Sequence, residues 1–256
     1  MSVSWEFDKC LVILHLPYYP NNLTLLSQRG VVAVVQDNIE VVDIDAGYRR
    51  AACCRICFAG DPKVRPGIVD MAQPRWIGER YAIAKPRVLF ILMNPGSGES
   101  DSAVYNEAAR HLMREYGDGR ATLADVLTHQ RAHMPDWGRG RFLSFYTDAL
   151  GLKLDDIAFL NIALCSTEEN SYPSWMLHRC FDTHTGQLIR VLGPDLVLLS
   201  GRAVEPFRNA ILNGSPRVRV ETMLHYAHRK SNEEEARDLG RIRATLESLR
   251  YDLTTV

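Results

Sequence analysis

The sequence predicts an α/β protein in which a mainly parallel central sheet lies between two layers of helices. Two observations lead to this class: short, largely apolar runs rich in β-branched residues recur along the chain, and helical stretches separate them. Strands of this kind are buried on both faces, because the helices that connect parallel strands cover both sides of the sheet. We therefore expect a three-layer α/β/α sandwich.

The individual elements follow from local patterns. Strands are predicted over residues 88–93, 157–162, 196–200 and 218–222. Apolar residues that can share one helical face predict a helix over residues 173–192, and a last helix is predicted to begin at Ser231 or Asn232. Its first turn carries three glutamates, which suit the positive end of a helix dipole.

The N-terminal part of the chain has a different pattern. Residues 31–44 form two β-rich runs around a polar turn, which predicts a β-hairpin in an N-terminal extension over residues 1–50. The main domain is predicted to cover residues 51–256. It opens with residues 51–66, which contain three cysteines, a glycine and two prolines and are predicted to form a loop.

Charge and hydropathy restrict the partners. Thirty Lys plus Arg residues and 31 Asp plus Glu residues leave a formal net charge of −1, so a nucleic acid would need a local positive groove. No apolar run approaches the roughly 20 residues that span a membrane, and the N-terminus lacks the basic-then-apolar order of a secretory signal. We expect a soluble, cytoplasmic protein with no membrane partner.

Four of the six cysteines form the most specific pattern. Cys54 and Cys57 make a Cys-x-x-Cys element, and Cys165 and Cys180 follow on a later strand end and helix. Disulfides are rare in a reducing compartment, so metal binding is the hypothesis to test. Two pairs of thiolates can close a tetrahedral site for an iron–sulfur cluster or zinc. The alternative is a set of buried thiols without a ligand.

Polar residues follow three of the predicted strands. Asn94, Pro95 and Gly96 come after the first, Asn161 lies near the end of the second, and His225 follows the last. Ligands of parallel sheets bind at the carboxyl ends of the strands, which makes these positions candidates for a site. The simpler alternatives are an ordinary strand-to-helix turn, a structural amide and a structural histidine.

The order of these motifs resembles that of the uracil-DNA glycosylase superfamily, in particular its iron–sulfur branch, over roughly residues 51–250. The resemblance implies a four-iron (4Fe–4S) cluster, with zinc as the less favoured occupant, held by Cys54, Cys57, Cys165 and Cys180. It also implies that Asn161 contacts uracil and that His225 begins the last active-site motif. The activity implied is hydrolysis of the N-glycosidic bond of uracil, or a related damaged base in DNA, by a monomeric DNA-repair enzyme.

The sequence departs from the iron–sulfur branch at two places. The segment that ends in Asn94-Pro95-Gly96 lacks the acidic residue common in that branch. It is closer to the mismatch-specific branch, in which this asparagine holds the attacking water. Tyr226 occupies the position after the histidine where proline is usual. These departures leave the substrate preference open.

The resemblance leads to a mechanistic hypothesis. His225 would donate a hydrogen bond to the carbonyl oxygen of the departing base, and Asn94 would orient the water. The flipped base would be recognised at its polar edge by Asn161 and stacked on Tyr105, with the main chain at Pro95 and Gly96 lining the pocket.

Two other functions remain compatible with the sequence. A metal-braced nucleic-acid-binding module without catalysis is favoured by the missing acidic residue, by Tyr226 and by the neutral overall charge. Hydrolysis of a free nucleoside or nucleotide is the third possibility, since it would need no steering of DNA.

Overall fold

The computed structural model of the chain describes residues 44–67, 69–96 and 103–254. Its centre is one sheet made of the strands β1 (Val88–Leu92), β2 (Ile157–Asn161), β3 (Leu196–Ser200) and β4 (Arg219–Met223). All pairings are parallel, in the order β2-β1-β3-β4. The four predicted strands are confirmed, with ends that differ by no more than one residue.

Helices connect and cover the strands. In the described ranges they are α1 (Ile44–Ala52), α2 (Ile56–Gly60), α3 (Ala103–Gly117), α4 (Leu123–His133), α5 (Arg141–Tyr146), α6 (Ser174–Cys180), α7 (Gly186–Leu192), α8 (Arg208–Gly214) and α9 (Asn232–Thr254). A π-helical segment, Phe181–Thr185, joins α6 to α7 and makes them one continuous helix, as predicted. Ser231 begins α9 by accepting a hydrogen bond from the main-chain N–H of Glu234 (3.3 Å).

The sheet is buried on both faces, which confirms the three-layer α/β/α architecture. Along β1, Leu89 and Ile91 pack with α1, α3, α7 and α8, whereas Val88, Phe90 and Leu92 pack with α5 and α9. This alternation follows from the geometry of a strand, in which successive side chains point to opposite faces. The edge strand β4 is the exception, since it is only partly buried.

The strand order places β1 between β2 and β3, so the chain runs to one side of β1 first and then crosses to the other side. Such a reversal opens a crevice at the carboxyl ends of the strands. No helix in the part of the chain described here is both long and apolar enough to cross a bilayer.

Two predictions near the N-terminus need correction. Residues 51–66 are not a continuous loop, because α1 runs to Ala52 and Cys57 lies on α2. The predicted boundary between residues 50 and 51 lies inside α1, where Tyr48 and Ala51 pack into the same core. The buried residues of α1 recur at helical spacing, which the strand-like run before them obscures. The predicted hairpin over residues 31–44 lies outside the described residues, apart from its last residue, which begins α1.

Candidate functional site

The predicted polar residues lie along one edge of the sheet. Asn161 is the last residue of β2, Asn94 lies two residues beyond β1, and His225 lies two residues beyond β4. The backbone pairing of β1 and β2 continues past the strands, since Ala163 N–H donates to the carbonyl of Met93 (2.9 Å). The carboxyl edge of the parallel sheet therefore carries all three side chains.

Asn161 is buried, with 1% of its surface exposed. With its amide oxygen turned toward the guanidinium of Arg75, that oxygen accepts from Nε (2.7 Å) and Nη2 (3.1 Å). A buried amide without partners would destabilise the fold, and this charged donor offsets the loss of hydration. The main-chain carbonyl of Asn161 also accepts from the Thr185 hydroxyl (3.0 Å), which ties β2 to the π-helical segment.

Arg75 is a site residue that the sequence did not reveal. It lies between Pro74 and Trp76 in a segment with no periodic pattern, so no local signal marks it. The main chain of this segment is held against β2, where Phe159 N–H donates to the carbonyl of Trp76 (2.8 Å). This pairing brings the Arg75 side chain to Asn161.

Asn94 is half-buried and has a protein partner. Its Nδ2 donates to Oδ1 of Asn170 (3.0 Å), in the segment that follows Cys165. Pro95 is half-buried and Gly96 is exposed at the turn that leaves β1. Tyr105 lies on α3, but its side chain is outside the described part of the chain, so its stacking role stays a prediction.

His225 has a defined ring environment. Its Nδ1 accepts a hydrogen bond from Ala227 N–H (3.2 Å), so the proton of the neutral ring resides on Nε2. Burial, assisted by the neighbouring His228, lowers the pKa of His225 to about 4. The imidazole is therefore neutral at physiological pH and can act as a hydrogen-bond donor through Nε2–H. Gly201, beyond β3, allows this placement, because a Cβ there would lie 3.3 Å from His225 Cβ and its φ is +92°.

Tyr226 belongs to an aromatic cluster rather than to the open crevice. Its ring contacts Phe142 and Tyr146, with ring centroids 5.3 and 6.0 Å away. It also packs so closely on Gly138 that a Cβ there would lie 2.3 Å from the tyrosine ring. This packing gives a physical reason for a tyrosine after His225, since a proline would leave the space beside Phe142 unfilled.

A chain of ring contacts links the two ends of the carboxyl edge. Arg75 lies over Trp137 (5.4 Å), Trp137 packs on Phe142 (5.3 Å), and Phe142 packs on Tyr226, whose ring lies 4.4 Å from that of His225. We call this series the aromatic rim. It connects the partner of Asn161 to His225 through continuous contact.

The four predicted cysteines line a single pocket. Cys54 follows α1, Cys57 lies on α2, Cys165 follows β2 and Cys180 ends α6, and all four border the same small pocket. Cys53, which directly precedes Cys54, is exposed and does not line the pocket. The thiols lie near enough to affect one another. Burial, followed by the charges of neighbouring thiols, raises the pKa of Cys165 above its usual range.

The chemistry of this pocket fits a thiolate-bound cofactor. Four sulfur donors are the usual ligand set of a [4Fe–4S] cluster or a structural zinc. Arg55 and Arg179 border the pocket and lower the pKa values of Cys165 and Cys57 respectively, against the larger effect of burial. Their positive charges would offset those of bound thiolates. His184, which the sequence did not single out, lines the same pocket with a buried Nε2 that has no hydrogen-bond partner.

Within the described residues, no three His, Cys, Asp or Glu side chains already converge on a point as they would around a single metal ion. No family model and no curated protein matches the chain. The candidate site therefore rests on its own geometry, which brings Asn94, Asn161 and His225 to one edge of the sheet and four cysteines to one pocket.

Proposed function

We propose that this protein is a DNA glycosylase that hydrolyses the N-glycosidic bond of uracil, or of a related damaged base, in DNA, and that it acts as a cytoplasmic monomer. One observation carries the proposal. Asn94, Asn161 and a neutral His225 lie at the carboxyl edge of one parallel sheet, where the aromatic rim joins the two ends of that edge. This combination suits a reaction that needs a hydrogen-bond donor, an oriented water and a recognised base.

His225 is the proposed donor to the departing base. As the glycosidic bond breaks, negative charge develops on a carbonyl oxygen of the base, and a hydrogen bond from Nε2–H stabilises that charge. Donors placed in this way lower the barrier by about 2 to 4 kcal/mol. The low pKa of His225 supports this role, because the ring stays neutral and keeps its Nε2 proton fixed by the Ala227 N–H bond.

Asn94 is the proposed holder of the attacking water. Its Nδ2 donates to Asn170, so the amide orientation is set, and its carbonyl oxygen is the group assigned to the water. An asparagine cannot take the proton as a base. Orientation suffices when the sugar has become cation-like before the water attacks.

Asn161 and Arg75 are proposed to select the base. Because the Arg75 guanidinium already donates to the amide oxygen of Asn161, we assign the amide N–H groups of Asn161 to the base edge. A carbonyl group, as in uracil, accepts from these N–H groups, whereas the exocyclic amine of cytosine does not. Uracil in a mispaired or single-stranded position is also the easiest base to flip.

DNA would approach over a locally basic surface. Arg139, Arg229 and Lys230 are exposed near the His225 end of the aromatic rim, in the segments that carry Gly138 and His228. Arg139 and Arg229 supply local positive charge on a chain whose formal net charge is −1, whereas Lys230 pairs with Glu234 (3.2 Å). Phosphate contacts of this kind position a protein on DNA without reading sequence.

The four cysteines are proposed to hold a [4Fe–4S] cluster, with zinc as the less favoured occupant. When bound, such a group would tie the α1–α2 junction to the end of β2 and to α6. Its contribution is structural: Cys165 lies four residues beyond Asn161, so the thiolate ligands brace the base-reading end of the site.

A non-catalytic nucleic-acid-binding module is the second candidate. It is favoured by the protein partners of both amides, since Asn94 bonds Asn170 and Asn161 bonds Arg75. Side chains held in this way can be purely structural.

Single-turnover excision from uracil-containing single-stranded and duplex oligonucleotides separates the two candidates. His225→Asn and Asn94→Ala should each lower the rate constant by about 100-fold or more, because each removes a group that acts in the transition state. His111→Asn and Asn209→Ala are matched controls at exposed positions and should leave the rate unchanged. Tight binding of uracil-containing DNA by a wild-type protein that never cleaves it would favour the binding module instead.

A further inference from the structure

Hydrogen bonds from His228 to the carbonyl of His225 stabilise the turn that carries His225. The carbonyl oxygen of His225 accepts from the main-chain N–H of His228 (2.8 Å) and also lies 2.7 Å from its Nδ1. A carbonyl can only accept, so Nδ1 of His228 carries a proton and donates it. Two donors of one residue therefore hold the carbonyl of His225, while Ala227 N–H holds its ring.

His228 is itself buried on the opposite side of its ring. Only 7% of its side chain is exposed, and its Nε2 lies 3.1 Å from Oε2 of Glu235 on α9 but makes no hydrogen bond; that carboxylate oxygen pairs instead with Arg141 at the start of α5. The ring also packs against Phe145 (5.8 Å). The bond from Nδ1 to the His225 carbonyl and the packing on Phe145 of α5 therefore define the position of the His228 ring.

The helix α9 holds the turn at a second point. Oδ2 of Asp238 accepts from the main-chain N–H of Leu224 (2.7 Å), the residue directly before His225. Glu235 and Asp238 are three residues apart, so both carboxylates face the turn from one side of α9. The main chain directly before His225 is thus bound to α9.

We propose that His228 is a positioning residue for His225: its two hydrogen bonds to the His225 carbonyl hold the turn in which Ala227 N–H meets the His225 ring, so that the ring presents Nε2–H to the ligand. The effect of His228 on catalysis rests on the proposed function of His225, whereas its effect on the orientation of the His225 ring does not. His228 is not the proposed donor to the ligand. It acts through His225, by excluding the rotations of the His225 ring that would turn Nδ1 of that ring toward the ligand.

The test compares variants that remove or retain the donor of His228. His228→Asn keeps an N–H close to the position of Nδ1, whereas His228→Leu keeps the volume and removes it. ¹⁵N-histidine NMR at pH 7 reports the tautomer of His225, whose signals are identified by their loss in His225→Asn. We expect one tautomer, protonated at Nε2, in the wild type and in His228→Asn, and a mixture of tautomers in His228→Leu.

Single-turnover excision supplies the second measurement. We expect His228→Leu to lower the rate constant by about tenfold, because one oriented hydrogen bond is lost, while the affinity for uracil-containing DNA stays within about twofold. His228→Asn should recover most of that rate. A rate loss that tracks affinity rather than the chemical step would overturn the positioning role.

The NMR result decides the proposal even if the protein cleaves no DNA. An inactive wild type with the expected change of tautomer would refute the proposed function and keep the positioning role. A His228→Leu spectrum identical to the wild type would overturn the positioning role. If His228→Leu does not fold, His228→Met replaces it, because a flexible apolar side chain fills the same space without a donor; an unchanged His225 tautomer in that variant would overturn the proposal as well.

Discussion

The carboxyl edge of the sheet holds its site residues by different contacts at its two ends, β2 and β4. At β2, every strand residue is buried, Asn161 is 1% exposed, and the nearby cysteine pocket adds four thiols. At β4, the strand is only partly buried, and the turn that carries His225 is held by the Asp238 carboxylate of α9 and by hydrogen bonds from His228. Where a strand has little apolar surface to bury, polar contacts position the site residue. We therefore expect damage at the β2 end to lower stability and damage at the β4 end to alter the donor.

Removal of one cysteine ligand should have the largest effect and tests whether the β2 end depends on a bound metal. We expect Cys180→Ser to lose its iron or zinc and to lower the free energy of unfolding by at least about 3 kcal/mol. Cys53→Ser is the matched control, because Cys53 is exposed and does not line the pocket. Metal analysis, absorbance near roughly 400 nm and urea unfolding measure the outcome. A Cys180→Ser protein with unchanged metal content and stability would contradict the cofactor proposal.

The contribution of His225 to the free energy of unfolding should depend on pH. The pKa of His225 is about 4 in the folded protein, below its ordinary value of 6.5, so the unfolded chain takes up a proton that the folded chain excludes. The associated stability is complete above pH 6.5 and is lost as the pH falls toward 4, by up to about 3 kcal/mol. Urea unfolding across this range should therefore show a steeper decline for the wild type than for His225→Asn. Parallel curves for the two proteins would show that His225 titrates normally.

At the β2 end, the next test is whether the contact with Arg75 supports the buried amide of Asn161. We expect Arg75→Met to lower the free energy of unfolding by about 2 kcal/mol, because it leaves a buried amide oxygen without its donor. Combined with Asn161→Leu in a double-mutant cycle, it should reveal a coupling of about 1 to 2 kcal/mol. If the two effects simply add, the contact does not support Asn161. In the excision assay, Arg75→Met should also weaken the discrimination between uracil and cytosine.

The smallest expected effect concerns the loop beside Tyr226. Arg139 has a φ of +58° between two glycines that also have positive φ, a conformation that glycine adopts readily. We expect Arg139→Gly to leave stability within about 1 kcal/mol and to weaken DNA binding, with the slope of log K against log salt reduced by about 1. Arg217→Gly removes an exposed charge just before β4, at the opposite edge of the sheet, and should not change the slope. Equal slopes for all three proteins would remove Arg139 from the DNA interface.

Much of the fold was predictable because its signals are local. The apolar runs of β1, β2 and β3 indicate buried strands at any position in a sheet, and Ser231 with the glutamates after it marks the start of α9. The rule that ligands bind beyond parallel strands then selected Asn94, Asn161 and His225. The helix α1 was missed, since its helical spacing directly follows a strand-like run.

The remaining features depend on residues that are distant in sequence. Arg75 reaches Asn161 across 86 positions of chain, and Asp238 on α9 accepts from Leu224 N–H only because α9 packs beside β4. Strand order, the grouping of four cysteines around one pocket and the neutral state of His225 are likewise products of packing. Local patterns specify which segments become strands and helices and which side chains follow them. The partners that fix those side chains arise only when the segments pack, because hydrogen bonding and desolvation depend on neighbours that no local pattern identifies.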